Sequence, residues 1–225
     1  MVPVVEQVEA RSVTPDCLPV SLGHVRGAVH ERIILVEGGD AGTALSMVRT
    51  CRRSGVAFAS VPGSFIQGLD SASVKGLVNG AHYLFTSEGE RSELLRLTAW
   101  PATTVIRRVR LWITTQQDGS LLIDQLGRGP RRVSPIPAFY VEKSRVRELF
   151  LAGSALGLSG TAAGQLAFTA AALQEQRSPS AVSFADCTRF LADHYGAGAA
   201  AEIRHSLNVS QEGNAGRAGC SALLR

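Results

Sequence analysis

The chain reads as an α/β protein with a doubly wound, mostly parallel sheet and flanking helices. Three observations predict this. Short apolar runs, Ile33-Ile34-Leu35-Val36 and His82-Tyr83-Leu84-Phe85, have the length and composition of buried strands. Segments with helical spacing alternate with them, as in Ala44 to Ser54, where Leu45, Val48 and Cys51 share a face. A single hairpin signal, Asp118-Gly119, comes only after these strand–helix repeats. Strand–helix alternation implies parallel pairing, and a late hairpin adds antiparallel strands at one edge.

Composition sets the outer bounds. A chain of 225 residues fits one large α/β domain or two small ones. Its 45% hydrophobic and 19% charged content is that of a globular protein with a sizeable core. The net charge of +4 is distributed over Arg52-Arg53, Arg107-Arg108, Arg131-Arg132, Arg145 and Arg147, and aromatics make up 6%. A nucleic-acid platform needs gathered basic residues interleaved with stacking aromatics, so no nucleic-acid partner is expected. Cys17, Cys51, Cys187 and Cys220 form no metal or disulfide spacing and are expected as reduced thiols. The first residues carry Glu6 and Glu9 and do not resemble a signal peptide, and no apolar stretch is long enough for a membrane span. A cytoplasmic location without membrane association is the expectation.

In chain order, residues 1–29 are the uncertain segment: Val2, Val4 and Val5 suit an edge strand, and Pro15 and Pro19 interrupt any regular element after it. The α/β domain is expected over 30–207. A strand over Arg32–Val36 leads through the Gly38–Thr43 turn to a helix over Ala44–Ser54, which Gly55 ends. That turn has neither a dinucleotide-binding nor a P-loop pattern, so it reads first as a tight βα turn, with anion binding through its backbone amides as the alternative. Val56–Ser60 is the next strand, Ser71–Asn79 a short helix closed by Gly80, and His82–Phe85 a further strand. Helices follow over Glu88–Leu97 and from Pro101 through Val109, then a strand over Leu111–Thr115 with Leu121–Ile123 returning antiparallel. Arg131–Ile136 is a short strand. Helices are expected over Val146–Leu158, Thr161–Gln176, Phe184–Tyr195 and Ala199–Leu207. Small residues Ala152, Gly153, Ala155 and Gly157 permit close packing in the first of these. A disordered tail is expected over 208–225.

The candidate site falls where a strand ends in a cap. Ser87 suits the N-cap of the helix starting at Glu88, and Glu90 completes an S-x-x-E capping box. Open α/β sheets place ligands outside the carboxyl ends of their strands, so this end is a ligand site by position. Glu90 has two readings, as a helix cap alone or as a functional carboxylate.

The segment YLFTSEGERSELL, from Tyr83 to Leu95, resembles the strand, Asn-x-x-Glu and helix of the PfkB (ribokinase-like) sugar and nucleoside kinases, especially actinobacterial adenosine-kinase-like members. RTCRRSGVAFASVPG (Arg49–Gly63), LWITTQQDG (Leu111–Gly119) and FLAGSALGLS (Phe150–Ser159) are similar to further family segments, in the same order. The resemblance spans about residues 30 to 205. It implies ATP-dependent phosphoryl transfer to a sugar hydroxyl, with Mg²⁺, ATP and a sugar or nucleoside as partners. Glu90 is implied to act indirectly on the metal through the Mg²⁺–phosphate network. Ser87 stands for the family's Asn, and Gln116 and Gly119 lie in the nucleotide-binding strand and turn.

The family's Gly-rich catalytic loop, ending in an Asp base, falls on Val141-Glu142-Lys143-Ser144. Its glycines are replaced, and Ser144 occupies the Asp position. A hydroxyl is no base at neutral pH without an activating group, and β-carbons crowd a backbone anion cradle. Glu142 is the alternative base. The family's N-terminal third, with its lid strands and most sugar contacts, has no counterpart in residues 1–29. Together these departures point to a degenerate kinase homologue with weak or no activity, a pseudoenzyme. The alternatives are a divergent active kinase, and a scaffold or regulatory subunit that pairs with another protein or a second copy through apolar sheet surface left bare by the missing lid.

Overall fold

The computed structural model describes residues 9–14, 17–18, 20–21, 32–37, 40–137, 139, 142–176 and 182–206. The expectations for Val2–Val5, for 22–29 and for the tail over 208–225 lie outside the described residues. The chain gathers into two compact units, one of Met1–Val13 with Arg32–Ser134 and the other of Thr14–Glu31 with Pro135–Arg225.

The first unit is built on a seven-stranded sheet. Its strands are β1 (Glu9–Val13), β3 (Ile33–Glu37), β4 (Ala57–Val61), β5 (Tyr83–Ser87), β6 (Leu111–Thr115), β7 (Leu121–Gln125) and β8 (Arg128–Val133), side by side in that order. β3, β4, β5 and β6 run parallel, β1 pairs antiparallel with β3, and β7 and β8 continue antiparallel from β6. A mostly parallel α/β sheet with flanking helices is therefore what this sequence folds into. The connecting helices are α1 (Ala41–Ser54), α2 (Ser71–Val78), α3 (Glu88–Thr98) and α4 (Ala102–Arg108). One core cluster joins them to the sheet: Val48, Leu77, Leu94 and Val105 meet Val36, Phe58, Leu84 and Trp112. The alternate strand residues Ile33, Leu35, Ala59, Tyr83 and Ile113 are also buried, which accounts for the continuous apolar runs.

Local chemistry sets the element ends. α1 starts three residues earlier than expected because Asp40, not the end of the glycine turn, caps it, accepting from the Thr43 amide at 2.9 Å and hydroxyl at 2.6 Å. Gly55 ends α1 at φ 65°, a left-handed conformation. Asp70 caps α2 through the Ser73 amide. β8 begins three residues before the expected strand over Arg131–Ile136, because its antiparallel pairing to β7 starts directly after the turn at Gly127. β1 has no counterpart among the sequence-based expectations: its sequence Glu-Ala-Arg-Ser-Val has no apolar alternation, and Arg11 and Ser12 are exposed while Val13 is buried.

The bare apolar sheet surface expected of a lidless kinase is not present among the described residues. Leu126 is the exposed large hydrophobic side chain among them, and the edge strand β8 instead carries exposed Arg128, Arg131 and Arg132. Charge on an edge strand discourages further pairing.

The second unit contains α5 (Lys143–Ala155), α6 (Gly160–Gln176) and α7 (Phe184–Tyr195), a helix over 197–206, and a parallel pair of two-residue strands, β2 (Val20–Ser21) and β9 (Val182–Ser183). α5 and α6 pack closely: a β-carbon at Gly153 would lie 3.4 Å from Ala163 Cα, as the small-residue run predicts. Cys17, Cys51 and Cys187 are free thiols. Burial pushes the Cys187 thiol up to about 12 and raises Cys51, so both stay protonated and unreactive. No helix among the described residues is long and apolar enough to cross a membrane.

Candidate functional site

The ends of β5 and β6 bring four of the sequence-predicted residues into one neighbourhood. Ser87 closes β5 opposite Thr115, the last residue of β6. Gln116 and Gly119 lie in the turn after β6. Ser144, in contrast, belongs to the second unit, in the first turn of α5.

The capping box is complete. Ser87 Oγ accepts from the Glu90 amide at 3.3 Å, and Glu90 Oε2 accepts from the Ser87 amide at 2.7 Å. One oxygen of the expected Mg²⁺–phosphate carboxylate is thus held by its own helix start. Glu88, which sequence reasoning passes over, reaches across to β6: its Oε2 accepts from the Gln117 amide at 3.0 Å. This bond ties the start of α3 to the turn after β6.

The turn is closed on itself. The Gln116 amide donates to Ser120 O at 2.8 Å and the Gly119 amide to Gln116 O at 3.0 Å. The Ser120 amide donates to Asp118 Oδ1 at 3.1 Å. Gly119 adopts φ 80°, where a β-carbon would be strained. Asp118 also accepts from the Ser120 hydroxyl at 2.7 Å and pairs with Arg132. The Ser120 hydroxyl, then its amide and Arg132, hold the Asp118 carboxyl below its usual range. Between Gln116 and Ser120, every amide except that of Asp118 has a partner inside the protein.

Beneath this surface lies a polar network. The Arg91 guanidinium sits 3.9 Å from the Trp112 ring centroid and donates to Asp124 Oδ2 at 2.6 Å and to Thr114 Oγ1 at 3.0 Å. Trp112 Nε1 donates to Thr86 Oγ1 at 2.9 Å, and the Thr86 and Thr114 hydroxyls are 3.3 Å apart. The Asp124 side chain is only 9% exposed, so the pair is largely removed from water. The network joins α3, β5, β6 and β7 directly below the candidate residues. Its partners are far apart in sequence, and only the S-x-x-E-R run points to one of them.

At Ser144 the hydroxyl donates to Glu142 Oε1 at 2.6 Å. Glu142 occupies the N-cap of α5 with no side-chain bond to the helix amides. Its carboxylate therefore stands at the positive end of the helix, where a phosphate would otherwise be stabilised.

In the first unit, the turn after β6 has its amides other than that of Asp118 bonded within the protein, and Glu88 and Glu90 place two carboxylates at the start of α3. In the second unit, Glu142 places a carboxylate at the start of α5. Glu90 Oε1 remains as an oxygen for Mg²⁺, which takes one or two carboxylates together with phosphate oxygens. No group of three His, Cys, Asp or Glu that could hold a metal ion occurs among the described residues.

No family model matches the chain. Among solved structures, it is similar to Burkholderia thailandensis nucleoside kinase in complex with inosine, at TM-score 0.63 and 20% identity over 73% of this chain and 57% of that one. The same kinase in complex with ADP-inosine aligns at TM-score 0.61 and 19% identity, over 73% and 54%. Methanocaldococcus jannaschii nucleoside kinase, an archaeal member of the ribokinase family, aligns at TM-score 0.61 and 16% identity, over 72% and 56%. Phosphofructokinase-2 from Escherichia coli, in complex with fructose-6-phosphate, aligns at TM-score 0.53 and 11% identity, over 72% and 56%. The fold is therefore ribokinase-like, and the chain spans less than two thirds of the length of each of these kinases.

Proposed function

We propose that this chain is a pseudoenzyme of the ribokinase-like sugar and nucleoside kinases, with weak or no phosphoryl transfer. The observation that carries this reading is the engagement of the turn after β6, where amides that could face a nucleotide are bonded to Ser120 O, Gln116 O, Glu88 and Asp118. Ser144 at the position of the family's base, and Glu142 at the start of α5, support it. Loss of a general base alone costs about 10²–10⁴-fold in rate, and loss of the electrostatic cradle adds to that.

The test is a coupled ADP-release assay on the purified chain, with Mg²⁺–ATP and inosine, adenosine or ribose in turn. The proposal expects sugar-dependent ADP release at or close to the buffer rate. Turnover that Glu90→Ala removes would overturn it.

A second reading is a divergent active kinase. The Glu142–Ser144 hydrogen bond favours it, since a carboxylate 2.6 Å from a hydroxyl is the arrangement of a base with its proton. Turnover lost in Glu90→Ala and also in Glu142→Gln would select this reading, with Glu90 serving Mg²⁺ and Glu142 as the base. A scaffold role with a protein partner or a second copy of the chain remains compatible with an inactive site. A stable complex in sedimentation velocity, formed without nucleotide, would support it.

A further inference from the structure

The basic residues that look distributed in sequence are gathered by the fold. Arg49, Arg52 and Arg53 project from one side of α1 and, with Ser46, line an open depression of about 370 Å³. None of the three arginines is paired with a carboxylate among the described residues. Like charges at these i, i+3 and i, i+4 spacings repel one another. The helix dipole offsets this only for Arg52 and Arg53, which lie in the last turn.

Arg52 is built into the surface. It donates to Gly76 O of α2, and its guanidinium lies 5.9 Å from the Phe58 ring centroid. Burial lowers its pKa from the ordinary arginine value. Arg49 makes one bond, from Nε to Leu45 O at 3.2 Å, which leaves its terminal nitrogens available. The basic surface continues beyond the depression. Arg108 donates to Asn79 Oδ1 at 2.8 Å and lies 4.3 Å from the Trp100 ring centroid, and Lys75 lies 5.5 Å from the same ring. The lining of the depression holds no aromatic ring on which a nucleobase could stack, which disfavours a single-stranded nucleic acid. A compact concavity with three guanidinium forks and a hydroxyl suits a multiply charged oxyanion better than the separate carboxylates of an acidic peptide.

We propose that the depression lined by Ser46, Arg49, Arg52 and Arg53 binds a phosphate-bearing small molecule. The last turn of α1 runs into β4, so this site lies at the amino ends of the parallel strands, away from Ser87 and Gln116 at their carboxyl ends. It does not depend on the reading of that other end.

The test is calorimetric titration of the full chain with inorganic pyrophosphate, together with NMR of the arginine Nε–H resonances. Pyrophosphate should shift the resonances of Arg49, Arg52 and Arg53. The double variant Arg49→Gln/Arg53→Gln should weaken binding by about tenfold or more, since each arginine supplies a charge-assisted bond. Ser46→Glu, which places a carboxylate in the depression, should weaken it similarly. Arg128→Gln/Arg131→Gln removes the same charge from β8 and should change binding by less than about twofold if recognition is local rather than a net-charge effect. Equal loss in the β8 variant, unmoved arginine resonances, or no pyrophosphate binding by the wild-type chain would overturn the proposal. So would tighter, competing binding of poly-glutamate, which would assign the surface to an acidic protein segment.

Discussion

The two ends of the parallel strands differ in what their polar groups are doing. At the carboxyl ends, where α/β sheets place ligands, the Ser87, Gln116, Gln117, Gly119 and Ser120 amides are bonded within the protein, three of them to Glu90, Glu88 and Asp118 carboxylates. At the amino ends, Arg49, Arg52 and Arg53 carry charge with no carboxylate partner among the described residues. The difference teaches that fold position nominates a site but the availability of donors decides whether it can take a ligand.

The largest expected effect lies under the closed end. Asp124→Ala leaves Arg91 without its carboxylate above Trp112, and should cost about 3 kcal/mol in urea unfolding, as removal of one partner of a buried ion pair does. Replacing both with apolar residues, as Arg91→Met/Asp124→Leu, should recover most of that loss. If Asp124→Ala is neutral, the network does not hold the turn after β6 to α3, and the contrast between the two ends weakens.

The capping box gives a smaller and sharper effect. Ser87→Ala removes the N-cap of α3 and should cost about 1 kcal/mol. Glu90→Gln should change stability by no more than a few tenths of a kcal/mol, roughly, because Gln completes the same box. A measurable change in Mg²⁺-dependent behaviour in Glu90→Gln, with stability unchanged, would instead give this carboxylate a functional role beyond the cap.

Much of this is legible in the sequence, for reasons that local chemistry supplies. Ser87 and Glu90 are three residues apart, so the cap can be read directly. Asp118-Gly119 marks the turn because Gly119 needs a positive φ. The apolar run at Ile33 marks a strand buried on both faces. β1 escapes because a polar edge strand has no periodic signature, and its partner β3 begins only at Ile33, after Val13 has ended β1. The Arg91–Asp124–Trp112 network escapes because its members meet only through sheet pairing. The arginine cluster reads as dispersed charge along the chain, although Arg49, Arg52 and Arg53 have the spacing of a single helix side.

The smallest expected effect is acid sensitivity at the helix starts. The Thr43 hydroxyl, then its amide, hold the Asp40 carboxyl below its usual value, and the Ser73 amide does the same for Asp70. A carboxyl depressed on folding contributes stability that is present above the unfolded value of about 4 and is lost as pH falls through the lower folded value. Helix content followed by circular dichroism in urea should therefore show a drop in midpoint below about pH 4, and Asp40→Asn, which also caps but does not titrate, should flatten it. Both groups are exposed, so the drop should be modest.

The most direct test of the closed carboxyl end is calorimetric titration of the purified chain with Mg²⁺–ATP, with adenosine and ribose added in turn. The account predicts no heat of nucleotide binding that the turn after β6 governs: any ATP signal should survive Gly119→Ala and Glu88→Gln, and fall in Arg49→Gln/Arg53→Gln. ATP binding that is abolished by changes at Glu88, Glu90 or Gly119 and untouched by the arginine variants would contradict it.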